Sequence, residues 1–347
     1  MTVISAADGW RSRRVTWSPS VTLVPTRFCF NACGYCSFRR PPGTGIPLGD
    51  VSSDVFSDAL SDAAARALLV FRPEAAEVLL LSGEVAPHSP QRRAWFQRLL
   101  ALSRVAWAQG RVPHTNAGPL SLAEMAALGR LNGSMGLMLE GLGPAYDALH
   151  RHAPSKRLAV RLGQLEQAGR LGIPFTTGLL LGVGESRADR RAALELLARL
   201  QRRWGHLQEV ILQPFRPDGA AAALLTASEQ ADLLLTIAEA RAILPPEVHL
   251  QLPPNLWPLE ALPAALAAGI DDLGGIDSCD VINRAYPQPT PTRLAAALER
   301  AGFSLVPRLC VHPAWRHWLP AALQRQAHRA EPRLLASRSS GPGSPWP

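Results

Sequence analysis

Lysine is almost missing from this sequence. Lys156 is the only lysine among 347 residues, so nearly all of the 36 basic residues, which outnumber 28 acidic ones, are arginines. These arginines are spread along helical stretches, whereas proteins that bind nucleic acid commonly cluster them on one face. We therefore expect no nucleic-acid partner, although single arginines that face anionic groups of a substrate are compatible with this pattern.

Long apolar runs and cysteines are scarce as well. No apolar stretch is long enough to cross a bilayer, and the N-terminal segment lacks the charged-then-apolar layout of a secretory signal. Five cysteines are few, and odd in number, which argues against a disulfide framework. The sequence predicts a soluble, cytoplasmic protein without a membrane partner.

Three of the cysteines form one short motif. Cys29, Cys33 and Cys36 follow the spacing C-x3-C-x2-C. Such a loop supplies three thiolates to an iron–sulfur cluster and leaves one iron open for another ligand. Structural zinc usually takes four ligands in two pairs, and no second pair follows. The spacing favours a [4Fe-4S] cluster, with zinc as the alternative. For Cys279 and Cys310 we expect small, semi-buried thiols.

The chain alternates short apolar runs with longer helical patterns. This alternation predicts an α/β fold, a single-domain (β/α) barrel of TIM type with eight parallel strands. If the last two candidates are loops, a six-stranded partial barrel is the alternative. The candidate strands are residues 22–25, 77–81, 112–115, 135–139, 175–181, 209–213, 248–252 and 270–273.

The ends of the chain differ from the barrel pattern. We assign residues 1–16 to an N-terminal extension and residues 17–310 to the barrel. A C-terminal helical segment is expected at 311–331. The remaining segment, 332–347, is rich in Ser, Gly and Pro without periodicity, which predicts a disordered tail.

The cysteine motif resembles the signature of radical S-adenosylmethionine enzymes. In that superfamily the open iron holds the amino and carboxylate groups of S-adenosylmethionine, whose reductive cleavage gives methionine and a 5′-deoxyadenosyl radical. Tyr35, which precedes the third cysteine, matches the aromatic residue that lies beside the adenine. Loop packing is the alternative role for this tyrosine.

Two glycine-containing segments extend this resemblance. Gly83 and Glu84 follow a predicted strand and match the "GE" segment that receives the amino group of the cofactor. Gly178 and Gly182 resemble part of a G-x-I-x-G-x-x-E element beside the adenine, for which a tight strand-to-helix turn is the alternative.

Two charged residues have cofactor roles implied by the same resemblance. Glu140 ends a predicted strand and would meet the ribose or the amino acid end of the cofactor, unless it is a salt-bridged glutamate at the rim. Arg161 could clamp the methionine carboxylate, unless it is a solvated helix residue.

Longer phrases resemble one branch of the superfamily, the 7,8-didemethyl-8-hydroxy-5-deazariboflavin synthases, and within it the first of two radical subunits. The resemblance runs from about Val15 to Pro307. Departures occur at Arg27 and Phe28, at Ala32, and at 277–278, where Asp-Ser replaces the usual Ser-Pro. The matching phrases are residues 17–19, 22–26, 29–31, 114–121, 213–217, 251–256 and 269–276.

This resemblance implies a reaction and its partners. The first subunit is a carbon–nitrogen lyase that cyclises 5-amino-5-(4-hydroxybenzyl)-6-(D-ribitylimino)-5,6-dihydrouracil to the deazaflavin, with release of ammonia, 5′-deoxyadenosine and methionine. The implied cofactors are a [4Fe-4S] cluster and S-adenosylmethionine. A separate second radical subunit would supply the substrate, and a flavodoxin- or ferredoxin-type protein would supply the electron.

Polar residues at or just beyond predicted strand ends are the candidates for contact with the substrate. The last two of them could accept a proton during ring closure, while turn and capping chemistry before Gly274 is the alternative. His114 could be a polar contact or a core residue. The six candidates are Asn116, Gln213, Gln251, Asn255, Asp271 and Asp272.

Other functions stay open at this point. Another radical enzyme is possible, either the partner hydroxybenzyl transferase or a biotin-synthase-like protein. The latter needs a second cluster, for which Cys279 and Cys310 are too few. From a different class, the chain could be a non-catalytic module that binds metal or nucleic acid.

Overall fold

Eight parallel strands form a closed barrel in this protein. A computed structural model describes residues 14–40, 60–217 and 223–339. Each strand pairs with the next, and the first closes the ring by pairing with both the second and the eighth. The predicted eight-stranded, single-domain barrel is confirmed. The strands are β1 Arg14–Leu23, β2 Glu77–Leu81, β3 Val112–Asn116, β4 Ser134–Gly136, β5 Phe175–Leu181, β6 Leu207–Pro214, β7 His249–Gln251, β8 Asp272–Ile276 and an additional β9 Ser304–Pro307.

Helices follow the strands and cover the outside of the barrel. Capping boxes begin three of them, at Ser121 with Glu124, at Ser186 with Asp189 and at Thr226 with Glu229. Within the described residues, no helix combines the length and apolar character needed to span a membrane. The helices are α1 Asp62–Phe71, α2 Arg92–Ala108, α3 Leu122–Gly129, α4 Pro144–Leu149, α5 Leu158–Arg170, α6 Arg187–Trp204, α7 Ala227–Ile243, α8 Leu262–Ala268, α9 Pro291–Arg300 and α10 Ala321–Ser339.

The central strands are apolar because helices cover their outer side chains. All seven residues of β5 are buried, as expected for a strand of a parallel sheet covered by helices. On β2 the alternate residues Glu77, Leu79 and Leu81 line the interior of the barrel. This period of two sets which side chains can meet a ligand inside the barrel.

The first strand begins earlier than predicted. We expected it at residues 22–25, but β1 starts at Arg14, inside the segment assigned to an N-terminal extension. Pro19 obscured it, because proline lacks the N–H that a central strand uses for pairing. On one side β1 pairs with β9 at Arg14–Trp17 and with β2 at Ser20–Leu23, so Pro19 lies between the two paired segments.

The C-terminal part of the fold differs from the prediction in three places. The last barrel strand is Asp272–Ile276 and not 270–273, and β9 was not predicted. The final helix α10 continues to Ser339, past residue 332, where we expected disorder to begin. Leu334 packs against the same core cluster as the buried Leu323 and Ala327, so packing continues past residue 332.

Candidate active site

The cysteine loop, residues 27–40, lies at the C-terminal end of the barrel, where barrel enzymes place their active sites. It follows β1 and is attached to neighbouring loops by main-chain hydrogen bonds, which fix it without help from the cysteine side chains. These bonds run from Gly83 N to Thr26 O (2.8 Å), Phe30 N to Glu84 O (3.1 Å), Ala32 N to His152 O (2.7 Å) and Gly34 N to Leu149 O (3.2 Å).

The three cysteine thiols suit a cluster better than a single metal ion. Cys29, Cys33 and Cys36 are free and half-buried. Among the described residues, their three Sγ atoms are not all within 4.8 Å of one another. A single zinc ion holds each thiolate at about 2.3 Å, whereas the cysteines of an iron–sulfur cube bind different irons. Of the other two cysteines, Cys310 is buried as a core thiol and Cys279 is exposed.

Burial also makes the thiols depend on a bound metal. It raises the pKa of Cys29, and it raises the pKa of Cys33 to about 11. A coordinated iron offsets this penalty, because a thiol bound to a metal ion loses its proton. The cysteines therefore fit the three protein ligands of a [4Fe-4S] cluster.

Gly83 allows the cysteine loop to approach β2. A Cβ atom at this position would lie 2.0 Å from the carbonyl oxygen of Phe28, and this contact involves main chain that cannot rotate away. The glycine is therefore required for packing of the loop, whatever cofactor role the segment has.

Gly83→Ala is expected to displace the cysteine loop and to lower the free energy of unfolding by about 1–3 kcal/mol, the usual cost of overpacking. Gly163→Ala is the matched control, because a Cβ there meets no atom within 4 Å. In a helix interior it is expected to stabilise by about 0.5–1 kcal/mol. Urea unfolding and iron retention after reconstitution measure both effects, and equal results for the two variants would contradict the proposed contact.

Glu84 is the centre of a buried hydrogen-bond network. Its carboxylate accepts from Arg161 Nη2 at 2.8 Å and from Asn31 Nδ2 at 2.9 Å, and it also accepts from the Ser155 hydroxyl. The role of Arg161 as a clamp for the methionine carboxylate stays a prediction, but its side chain is only 1% exposed, so the alternative, a solvated helix residue, is wrong. Arg161 and Glu84 instead bind each other beside the cysteine loop.

The network keeps Glu84 ionised. Burial alone would raise its pKa, but the guanidinium of Arg161 and the ammonium of Lys156 lower the pKa to about 2. The carboxylate thus stays charged, and the amino group of a bound cofactor would share it with Arg161.

Glu84→Gln is expected to remove a stabilisation that depends on pH. A carboxyl whose folded pKa is about 2, below its ordinary value of 4.5, stabilises fully above about pH 4.5 and loses this effect as pH falls towards 2. The gap in unfolding free energy between wild type and variant should narrow by about 2 kcal/mol between pH 6 and pH 3. Urea unfolding at both pH values measures it. Glu166→Gln, on an outer helix, is the control substitution of the same type, and a constant gap for Glu84→Gln would refute the assignment.

The single lysine completes this side of the site. The Lys156 ammonium pairs with the carboxylate of Glu140 and lies 6.0 Å from the ring centroid of Tyr35. Tyr35 also packs edge-on against His150, with ring centroids 5.7 Å apart. Glu140 is thus salt-bridged, while its cofactor role stays a prediction. Its backbone is held in a strained conformation with φ of 73°. Lys156 and its neighbour Ser155 were not predicted as site residues, although the presence of a single lysine in the sequence was a usable signal.

The two glycines of the β5 segment have different surroundings. A Cβ at Gly178 would lie 2.5 Å from the carbonyl oxygen of Ile211, so this glycine permits close strand packing. Gly182 follows β5 with φ of +90° and has no atom near its missing Cβ. Its N–H donates to Glu185 Oε1 at 2.7 Å, so a tight turn is present here.

A cavity of about 210 Å³ occupies the barrel interior. This volume is many times the roughly 10–15 Å³ that one water requires, so an organic ligand fits. Asn116, Gln213 and Gln251 line the cavity, as predicted from their places at strand ends. Asp277 and Asp280 line its upper part, and neither was predicted.

Asn255 is directed away from this cavity. Its side chain donates to Asp280 Oδ2 at 2.9 Å and to the carbonyl oxygen of Tyr286 at 3.1 Å, and it does not line the cavity. The loop after β8 thus uses the amide nitrogen of Asn255, and the substrate contact of this residue stays a prediction.

Asp271 and Asp272 were predicted at the wrong end of their strand. They begin β8, at the barrel end opposite the cysteine loop, and do not line the cavity. The sequence pattern assigned Gly274 and Gly275 to a turn, whereas both lie within β8. Gly274 is required there because a Cβ would lie 2.2 Å from Gln251 Nε2. Asp271 binds His249 at 3.0 Å instead of a substrate.

A buried arginine organises this lower end. Arg308, which follows β9, donates to both oxygens of Asp272 at 2.5 and 2.6 Å and to Glu209 Oε1 at 2.7 Å. Glu209, Asp272 and His312 are close enough together to hold a metal ion, but the guanidinium of Arg308 already pairs with both carboxylates. No local sequence pattern indicated this cluster, because its members come from separate segments of the chain.

The fold and the cysteine loop together define the class of protein. Residues 23–197 match the Radical SAM superfamily. The chain is similar in fold to the FeFe-hydrogenase maturase HydG from Carboxydothermus hydrogenoformans, with a TM-score of 0.66, 18% identity, and coverage of 95% of this chain and 79% of that one.

Relatives with higher sequence identity show the family within this superfamily. The chain is 48% identical over 317 residues to a 7,8-didemethyl-8-hydroxy-5-deazariboflavin synthase of Thermosynechococcus vestitus, covering 90% of this chain and 97% of the relative. It is also 48% identical over 321 residues to the synthase of that name from Synechococcus elongatus, covering 91% and 93%. The chain belongs to the 7,8-didemethyl-8-hydroxy-5-deazariboflavin synthase family of radical enzymes.

Proposed function

We propose that this protein is the cyclising subunit of deazaflavin biosynthesis. It converts 5-amino-5-(4-hydroxybenzyl)-6-(D-ribitylimino)-5,6-dihydrouracil to 7,8-didemethyl-8-hydroxy-5-deazariboflavin and ammonia, as a carbon–nitrogen lyase. The observation that carries the proposal is the 48% identity over nine-tenths of the chain to a synthase of that name, combined with a cysteine loop placed at the mouth of a polar barrel cavity.

The cofactors assigned are a [4Fe-4S] cluster and S-adenosylmethionine. Cys29, Cys33 and Cys36 would hold the cluster, which supplies the electron that cleaves the sulfonium. Glu84 and Glu140 offer buried carboxylates beside the loop, where an ammonium or ribose hydroxyls would bind. Tyr35, Gly178, Gly182 and Arg161 shape the same region, and Gly83 keeps it close to the cysteines.

The overall reaction balances without an added oxidant. Ring closure forms one carbon–nitrogen bond, between the ribityl-bearing nitrogen and the hydroxybenzyl ring. It breaks another, between C5 of the uracil ring and the amino group, which leaves as ammonia. One hydrogen atom goes to 5′-deoxyadenosine, and a second leaves as a proton and an electron. S-adenosylmethionine is consumed to methionine and 5′-deoxyadenosine, so the electron that starts its cleavage is returned by the product-forming oxidation.

The cavity residues bind and orient the substrate in this proposal. Asn116 and Gln213 present amide groups near the cysteine loop, where they can pair with the uracil ring. Walls formed by Leu79, Leu81 and Ile211 exclude water from the reacting carbon atoms. A separate radical subunit supplies the substrate, and a flavodoxin- or ferredoxin-type protein supplies the electron.

An anaerobic assay tests the proposal. The reconstituted protein is incubated with a reductant, S-adenosylmethionine and adduct made by the separate hydroxybenzyl transferase, and deazaflavin fluorescence and 5′-deoxyadenosine are measured. Equal formation of deazaflavin, 5′-deoxyadenosine and ammonia supports it. If the protein instead makes the adduct from tyrosine and ribitylated diaminouracil, it has the partner's function and the proposal is wrong.

A further inference from the structure

The cavity has a polar floor at the end opposite the cysteine loop. Glu77 is the first residue of β2, Glu209 lies near the start of β6, and Arg308 follows β9. All three line the cavity. Above them, apolar residues predominate, including Leu79 and Ile211, so the cavity changes from apolar walls to a charged floor along the barrel axis.

The floor has more hydrogen-bond acceptors than the donors of the protein occupy. The guanidinium of Arg308 serves both Asp272 and Glu209. Glu77 is only 5% exposed, and among the described residues no cationic group lies within 4.0 Å of its carboxyl, although the Ser18 hydroxyl is a protein donor within its reach. A buried carboxyl without a cation is costly unless hydrogen-bond donors reach it. Donors from a ligand would meet this requirement.

His114 adds a neutral acceptor to the wall just above. The Ser134 hydroxyl donates to the carbonyl oxygen of Cys310 at 2.8 Å, and His114 Nδ1 lies 2.6 Å from the same hydroxyl oxygen. Because the single hydroxyl hydrogen is used, Nδ1 must carry the hydrogen that it donates to Ser134. Nε2 is then an unprotonated acceptor beside Gly136, where the cavity wall has no side chain.

Gln251 supports this arrangement. With its amide oriented to satisfy its neighbours, the nitrogen donates to both oxygens of Glu209 at 3.2 Å. Thr176 also donates to Glu209, at 3.0 Å. Glu209 is thus fixed in place, whereas Glu77 and His114 Nε2 keep acceptor positions open to the cavity.

Given the proposed function, we propose that this floor binds the ribityl chain of the substrate, with Glu77 and His114 Nε2 accepting hydrogen bonds from its hydroxyl groups. The chain is the only part of that substrate with several adjacent O–H donors. The uracil ring has N–H donors, but each is flanked by a carbonyl oxygen that two carboxyl groups would repel, and the hydroxybenzyl group has one hydroxyl. The assignment places the polyol at the floor and leaves the reacting rings near the cysteine loop.

Binding measurements on the anaerobically reconstituted holoenzyme test this. Isothermal titration compares 5-amino-6-(D-ribitylamino)uracil with 5,6-diaminouracil, which lacks the chain. We expect wild type to bind the ribityl compound at least about tenfold more tightly, equivalent to about 1.4 kcal/mol. Glu77→Ala and His114→Phe should each reduce this ratio several-fold, while the Kd for diaminouracil stays within about twofold, which also reports an intact fold. Glu166→Ala, on the outer surface, should keep the wild-type ratio.

Failure of the floor assignment and failure of the proposed function give different results. If wild type forms deazaflavin but binds both probes equally, or if Glu77→Ala and His114→Phe keep the full ratio, the floor assignment is overturned and the proposed function stands. If no deazaflavin forms and neither probe binds, the proposed function fails and the floor assignment fails with it.

Discussion

Cys33→Ala is expected to reduce both cluster content and 5′-deoxyadenosine formation to background. Cys33 is the middle ligand of the loop, and burial raises its thiol pKa to about 11, so only a bound iron keeps it as a thiolate. With two protein ligands left, the cluster would be held at two corners by a loop whose own hydrogen bonds are unchanged. Iron and acid-labile sulfide are measured after anaerobic reconstitution, together with 5′-deoxyadenosine.

The matched control for this variant is Cys279→Ala. Cys279 is exposed and outside the cysteine loop, so its removal should leave iron and sulfide content at the wild-type level. Full cluster content in Cys33→Ala, or equal loss in both variants, would show that the three-cysteine assignment is wrong.

Arg308→Met is expected to lower the free energy of unfolding by roughly 3–5 kcal/mol, the usual cost of breaking a buried ion pair from one side. Arg308 is 6% exposed and pairs with Glu209 and Asp272, whose side chains are 5% and 0% exposed. Without the guanidinium these two carboxylates stay close together at the bottom of the cavity, shielded from bulk water. Urea unfolding at neutral pH measures the loss.

Two further variants test whether the loss of stability is caused by charge or by packing. Arg66→Met breaks an exposed pair with Asp62 at 4.0 Å and should cost less than about 1 kcal/mol. Adding Glu209→Gln and Asp272→Asn to Arg308→Met should recover much of the lost stability, because the unpaired charges are then gone. A similar loss in Arg66→Met, or no recovery in the triple variant, would mean that packing and not charge sets the cost.

Local sequence patterns were enough to predict some of the strands. The boundaries of β2 and β5 were predicted as observed, because each is a single apolar run between turn residues. Strands with a proline or a glycine pair, β1 and β8, were misplaced. In both strands, a neighbouring strand explains the irregular residue. Pro19 lies between the segments of β1 that pair with β9 and with β2, and Gly274 leaves room for the side chain of Gln251.

Of the polar residues predicted for the site, some line the cavity and others do not. Asn116, Gln213 and Gln251 reached the cavity because each ends a strand, and the period of two directs them inward. Asn255 and Asp271 did not, because their partners, Asp280 and His249, lie in other parts of the chain. The network of Glu84 with Arg161 joins residues far apart in sequence, which no local spacing could indicate.

By itself, the sequence determined the cysteine loop, the parallel alternation of strands and helices, and the family, since each depends on residue type and short spacing. Only the tertiary structure decided which polar groups share a buried space. Arg308 with its two carboxylates, Lys156 with Glu140, and the open acceptors of Glu77 and His114 come from distant segments. Barrel closure brings them together, and the cost of burying charge then requires that each find a partner in the protein or in its ligand.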